Sequence, residues 1–187
     1  MKKYINERLR LFNEINSDLL KTKIDEMADS ILNTHKKRGK VLLFGNGGSQ
    51  SQASHLAADL LIRYKKNSTR SPITAFSLSS DNVVITAAAN DFKNENSILC
   101  QLKTCFNPSD TALAFSTSGT SPNVINSLRW LNSQNNSNVY LLTGKLDFFE
   151  FNNVKLIETP FECSTAIIQE FHLFLIHILC ETLESYE

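Results

Sequence analysis

The sequence predicts a three-layer α/β sandwich built on a doubly wound, mostly parallel sheet of five strands. Three observations carry that prediction. Short runs rich in aliphatic and β-branched residues recur from Val41 onward, helical segments separate them, and the runs are continuously apolar rather than alternating. Strands of this kind lie in parallel sheets covered by helices on both faces. Ligands of such sheets sit outside the carboxyl ends of the strands, near the point where strand order reverses. The strand-to-helix loops are therefore where function is to be sought.

Ahead of the first strand, residues 4–38 place Ile5, Leu9, Phe12, Ile15, Leu19, Ile24, Met27, Ile31 and Leu32 near the 3.6-residue period, with no glycine or proline until Gly39. This predicts one long helix or two. Two partners are open for its apolar stripe: the chain's own sheet, or another subunit. The strands are predicted at Val41 to Gly45, Ile73 to Leu78, Thr111 to Thr117, Val139 to Thr143 and Val154 to Ile157. No repeat, low-complexity tract or boundary interrupts residues 1–187, so one domain is expected, a size at which roughly 70% of the unfolded surface is buried.

Composition narrows the partners. Nineteen basic residues balance nineteen acidic ones, so no global field favours nucleic acid or an anionic membrane, and a small anion would need a local device. The segment Met1 to Arg8 has no apolar signal core, and no run is read as reaching the roughly 18 apolar residues of a membrane span. A cytoplasmic protein is expected. Cys100, Cys105, Cys163 and Cys180 lack metal-finger spacing and are expected to be reduced core thiols.

Two loops stand out at strand ends. After Phe44 comes Gly45-Asn46-Gly47-Gly48-Ser49, then a helix with Ala53, Leu56, Ala57 and Leu60 on its buried side. Glycines allow close backbone approach, and a helix start offers N–H groups and a favourable dipole to an oxyanion. Neither the nucleotide P-loop nor the dinucleotide spacing is present. After the strand ending at Phe115, Ser116-Thr117-Ser118-Gly119-Thr120-Ser121 precedes Pro122 at a helix start. One hydroxyl suffices for capping, whereas five can surround a phosphate without a cation.

These pieces resemble the sugar isomerase (SIS) domain family, and more closely its phosphoheptose isomerases. The matching motifs, in order, are the loop at 45–49, His55 to Asp59 with Arg63, Ala89-Asn90-Asp91, the loop from Ser116 to Asn123, Leu142-Thr143-Gly144, and Ile168-Gln169-Glu170 with His172, His177, Cys180 and Glu181. The resemblance implies a cytoplasmic homotetramer, with the N-terminal helical segment as its oligomerisation element. The implied reaction interconverts sedoheptulose 7-phosphate and D-glycero-D-manno-heptose 7-phosphate, the first step towards the heptose of bacterial surface glycans. It also implies that Ser116, Thr117, Ser118 and Ser121 hold the phosphate. Asn46, Gly47, Gly48, Ser49, Arg63, Asn90 and Asp91 would contact the rest of the sugar, together with Asp59 and Gln169. One zinc ion would be bound by His55, Asp59, Gln169 and His177.

Aldose–ketose isomerisation needs a base beside a carbon and a group that polarises the carbonyl, roles open to a carboxylate and a histidine. His55 and Asp59, at i and i+4, share a helix face. Gln169 and His177 lie eight residues apart, about 12 Å along a helix, so convergence on one ion is demanding. By the family match Asp59 would be the base and His177 its acid/base partner, with His172 an ordinary helix contact. The chain departs from the family in having Asp59 for glutamate, Ile167 for arginine, and an apolar Lys145 to Phe149 segment for a glycine-rich loop. Two other readings stay open: a non-catalytic SIS protein that binds sugar phosphate or a replication initiator, and an isomerase of another sugar phosphate.

Overall fold

A computed structural model describes residues 1–78, 80–92, 97–134, 136 and 138–186. In chain order the elements are α1 (Lys2–Glu14), α2 (Ser17–Lys36), β1 (Val41–Gly45), α3 (Gly48–Leu61), β2 (Ala75–Ser77), α4 (Asn82–Phe92), α5 (Ser97–Cys105), β3 (Thr111–Ser116), α6 (Pro122–Ser133), β4 (Val139–Thr143), β5 (Val154–Glu158) and α7 (Thr165–Glu184). The five strands form one sheet in the order β2-β1-β3-β4-β5, and every pairing is parallel. The strand order reverses between β1 and β3. The loops that follow these two strands are the two singled out in the sequence.

Side chains alternate along each strand, so consecutive residues feed opposite layers. Leu43, Phe115, Tyr140 and Leu142 join α2, α3 and α7 in one core cluster. Leu42, Phe44, Ala114 and Leu141 join α5 and α6 in the other. Both faces being covered explains why the strands read as unbroken apolar runs.

The predicted N-terminal helix is two. Ile15 leaves the helical region, and Asn16 caps α2 by accepting the Leu19 N–H at 3.0 Å on Oδ1. Part of the apolar stripe packs on the chain's own core, including Leu11 of α1. Ile24, Met27, Ala28 and Ile31 of α2 are buried on the core, whereas Tyr4, Ile5, Leu9 and Phe12 of α1 are exposed.

The second strand is shorter than predicted. Ile73 donates its N–H to the Leu60 carbonyl at the end of α3, so the chain joins the sheet only from Ala75. One sequence expectation needs correction: α7 is long and apolar enough to cross a bilayer by length and composition. Its apolarity has a structural use, because Ile167, Phe171, Leu175, Ile176, Leu179 and Leu183 are buried. The four cysteines are free thiols.

Candidate active site

The glycine loop turns straight from β1 into α3, and the hydroxyl loop turns from β3 into α6. Asn46 and Asn123 join them by a reciprocal amide pair, Nδ2 to Oδ1 at 2.8 Å in one direction and 2.7 Å in the other. A cleft of about 390 Å³ opens beside this pair, lined by Asn46, Gly47, Gln50, Ile85 and Asn123 among others. A larger groove of about 630 Å³ lies between α1, α2 and α7, with Phe12, Ile15, Leu20, Ile24 and Phe174 on its wall. Chemistry favours the smaller cleft, since it sits at the strand-order reversal and is lined by Asn46, Gln50 and Asn123.

In the hydroxyl loop, Gly119 adopts φ +64°, a conformation that glycine takes without strain. This places its N–H on Ser116 Oγ at 3.1 Å, while Thr120 donates from both its N–H (3.2 Å) and its hydroxyl (3.1 Å) to Ser118 Oγ. The Ser116 and Ser121 hydroxyls stand 3.5 Å apart, and the Thr117 carbonyl accepts the Gly144 N–H at 3.2 Å. Ser121 is the N-cap of α6 yet makes no side-chain capping bond. The loop thus gathers hydroxyls and a helix start on one anion-sized spot.

Two helices carry the remaining groups side by side. α3 and α7 run in the same direction, with Gly48 against Gln169 at the start and His55 against His177 further along. A Cβ on Gly48 would stand 2.5 Å from Gln169 Nε2, so the glycine is what allows that amide to lie there. Gln52 donates its side-chain amide to the Gln169 carbonyl.

His55 and His177 approach Nε2 to Nε2 at 3.2 Å, and His55 Nε2 lies 3.3 Å from Asp59 Oδ2. The three donor atoms fall within 4.8 Å of one another. Two ligands at 2.0–2.1 Å on a tetrahedral ion are about 3.3 Å apart, so two of these spacings match the edges of a tetrahedral site. Two nitrogens and one carboxylate oxygen also suit a borderline divalent ion. The aspartate, despite its short side chain, reaches this group.

Sequence reasoning overlooked Tyr64 and gave no site role to Cys180 or Asn123, although both stand in the matched motifs. Cys180 points its thiol at Asp59 Oδ2 from 4.0 Å, and burial, helped by the Asp59 charge, pushes that thiol up to about 12. It stays protonated beside the carboxylate. The Tyr64 ring stands 5.8 Å from that of His177, and its hydroxyl donates to Glu181 at 3.4 Å. Burial first, then the Glu181 charge, raises the phenol. Asn123 closes the matched Ser116 to Asn123 motif and pairs with Asn46.

Other predicted residues lie apart from this group. Gln169 of α7 lies against Gly48 at the head of α3, and Gly48 is seven residues before His55, or about 10 Å along the helix. Arg63 is exposed beyond Asp59 and donates to the Lys66 carbonyl. Asn90 and Asp91 are exposed on α4 and bonded to each other at 2.7 Å. His172 is fully buried, with its ring edge-on to Phe115 at 5.9 Å. Ile167, in place of the family arginine, is buried in the core.

The SIS domain family model matches residues 3–138. The phosphoheptose isomerase of Chlorobaculum parvum is 36% identical over 87% of this chain and 78% of its own. That of Aquifex aeolicus is 36% identical over 90% and 86%. This chain belongs to the SIS domain family, among the phosphoheptose isomerases. Solved phosphoheptose isomerases share the fold: that of Neisseria gonorrhoeae superimposes with a TM-score of 0.82 over 98% of this chain and 96% of its own, at 27% identity. That of Francisella tularensis gives 0.84 over 98% and 95%, at 25% identity. Within a phosphoheptose isomerase, two loops at the strand-order reversal and an imidazole–carboxylate cluster are the groups available for binding and proton transfer.

Proposed function

We propose that this chain interconverts sedoheptulose 7-phosphate and D-glycero-D-manno-heptose 7-phosphate, supplying heptose for bacterial surface glycans. The observation that carries the reading is the meeting of His55, Asp59 and His177 on α3 and α7. The similarity to phosphoheptose isomerases over most of the chain gives it the substrate.

Asp59 takes the proton from the carbon next to the carbonyl and returns it to the neighbouring carbon through an enediol. His177 moves the second proton between the two oxygens. Ser116, Thr117, Ser118 and Ser121 hold the phosphate with the N–H groups at the start of α6. Asn46, Gly47, Gly48, Ser49, Arg63, Asn90 and Asp91 contact the sugar chain. His55, Asp59 and His177 would hold a zinc ion, which would supply a Lewis acid for the carbonyl and hydroxyl oxygens, and Gln169 would join as a fourth donor only by leaving its place against Gly48. The chain acts in the cytoplasm as a homotetramer. The exposed apolar residues of α1 support an oligomer, because such patches are otherwise rare on monomers.

The test is direct. The purified protein is incubated with sedoheptulose 7-phosphate, with added zinc and with chelator, and aldose formation is followed. Turnover that chelation abolishes is expected, and no turnover in the presence of zinc overturns the reading.

A further inference from the structure

α3 ends at Leu61, and the carbonyls of its last turn have no following helical N–H to accept. Arg70, in the segment leading to β2, turns back to this end. Its Nη2 donates to the Asp59 carbonyl at 3.0 Å, and its Nη1 to the carbonyls of Leu60 at 3.3 Å and Ser71 at 2.9 Å. Its Nε reaches Glu184 Oε1 at 3.4 Å, near the end of α7.

The two side chains are only 7% and 8% exposed. Taking such a pair out of water is expensive, and apolar residues of similar volume often serve stability as well or better. Capping is only part of its role, because the Leu60 carbonyl also accepts the Ile73 N–H and the Ala58 carbonyl the Ile62 N–H, while the Asp59 carbonyl takes the guanidinium. What the guanidinium adds is a rigid three-way tie, and a planar fork suits that better than a lysine would. The tie runs from the backbone of Asp59 to α7, the helix that presents His177 two turns before Glu184.

We propose that Arg70 is a positioning residue for the isomerisation: bridging Asp59 and Glu184, it locks α3 against α7 and so sets the Asp59 carboxylate relative to His177. The proposal rests on the reading of Asp59 and His177 given above. An aspartate makes the tie consequential. With two side-chain torsions it cannot follow a shift of its backbone, and a displacement of about 1 Å at a reacting group can cost on the order of a hundredfold in rate.

The test uses Arg70→Met, Arg70→Lys, Glu184→Gln and the double variant Arg70→Met/Glu184→Gln in the full chain. Turnover, zinc affinity by calorimetry with the metal alone, and the ¹⁵N imidazole resonances of His55 and His177 are measured. Arg70→Met is expected to lower kcat by about tenfold or more with KM within about twofold, to weaken zinc, and to move both imidazole resonances. Arg70→Lys recovers part of the loss, and the double variant is no slower than Arg70→Met, because the two residues act as one unit. Unchanged kcat and unmoved imidazole resonances in a folded Arg70→Met overturn the proposal, as do fully additive losses in the double variant. A wild-type chain without turnover overturns the isomerase reading instead, and the imidazole resonances then decide the role of Arg70 on their own.

Discussion

His55 Nε2 on α3 and His177 Nε2 on α7 stand 3.2 Å apart, although 122 residues separate them in the chain. Asp59 Oδ2 completes the group 3.3 Å from His55. Two helices anchored in the same core therefore hold these three side chains at contact distance.

If Asp59 carries the proton, Asp59→Asn should lower kcat by about a hundredfold or more, the usual scale for loss of a general base. Inhibition by inorganic phosphate should persist, because the hydroxyl loop is untouched. Steady-state kinetics with phosphate as competitor checks both, and an active Asp59→Asn enzyme removes Asp59 from the mechanism.

Gly48→Ala sets a methyl where the Gln169 amide now lies, 2.5 Å from its Nε2. The displaced group is the end of a flexible side chain, so thermal unfolding should change little. Turnover should fall by about tenfold or more as Gln169 is driven from its place. A large drop in melting temperature with intact turnover would contradict this assignment of Gln169.

Ser116→Ala leaves the Gly119 N–H without its 3.1 Å acceptor at a buried position. Stability should fall by about 1–3 kcal/mol, the cost of an orphaned buried donor. The apparent KM should rise more than kcat falls. Urea unfolding and kinetics read the two effects separately.

Burial lowers the His172 pKa to about 4, only partly opposed by the Thr143 carbonyl. Neither ring nitrogen makes a well-formed hydrogen bond, so the neutral ring is the stable form. Between pH 4 and the ordinary 6.5 the unfolded chain binds the proton and the folded chain does not. Stability from this group is thus complete above pH 6.5 and lost as pH falls towards 4, by at most about 3 kcal/mol. Denaturation across that range should show the slope in the wild type and a shallower one in His172→Phe.

If α1 forms the proposed subunit contact, Leu9→Lys on its exposed face should shift the protein to smaller species without loss of helical signal, since the residue makes no contribution to the buried core. Light scattering and circular dichroism measure the two outcomes.

The sequence made the layers, the five strands and both loops legible because each rests on local pattern: apolar runs, glycines and hydroxyls at strand ends. His55 and Asp59 were legible as a pair for the same reason, being one turn apart. Their meeting with His177 entered only through family resemblance, since the side-by-side course of α3 and α7 follows from the crossover connections of the sheet. The break at Ile15 and Asn16 left no proline or glycine to mark it, and a side-chain cap set it. Ile73 and Thr74 have the residue types of a strand, yet the end of α3 captures the Ile73 N–H. Tyr64 and Arg70 carried no motif, and Cys180 carried one without a role, because their significance is a matter of which neighbour the fold puts beside them.

The reciprocal amide pair between Asn46 and Asn123 has a consequence for choosing among substrates. It ties the start of α3 to the start of α6, so the loops proposed to contact the sugar and to hold the phosphate would work as the jaws of a calliper with a set opening. A phosphorylated sugar would then be gauged by the distance between its phosphate and its carbonyl. Shorter or longer homologues with identical end groups would seat one end and miss the other.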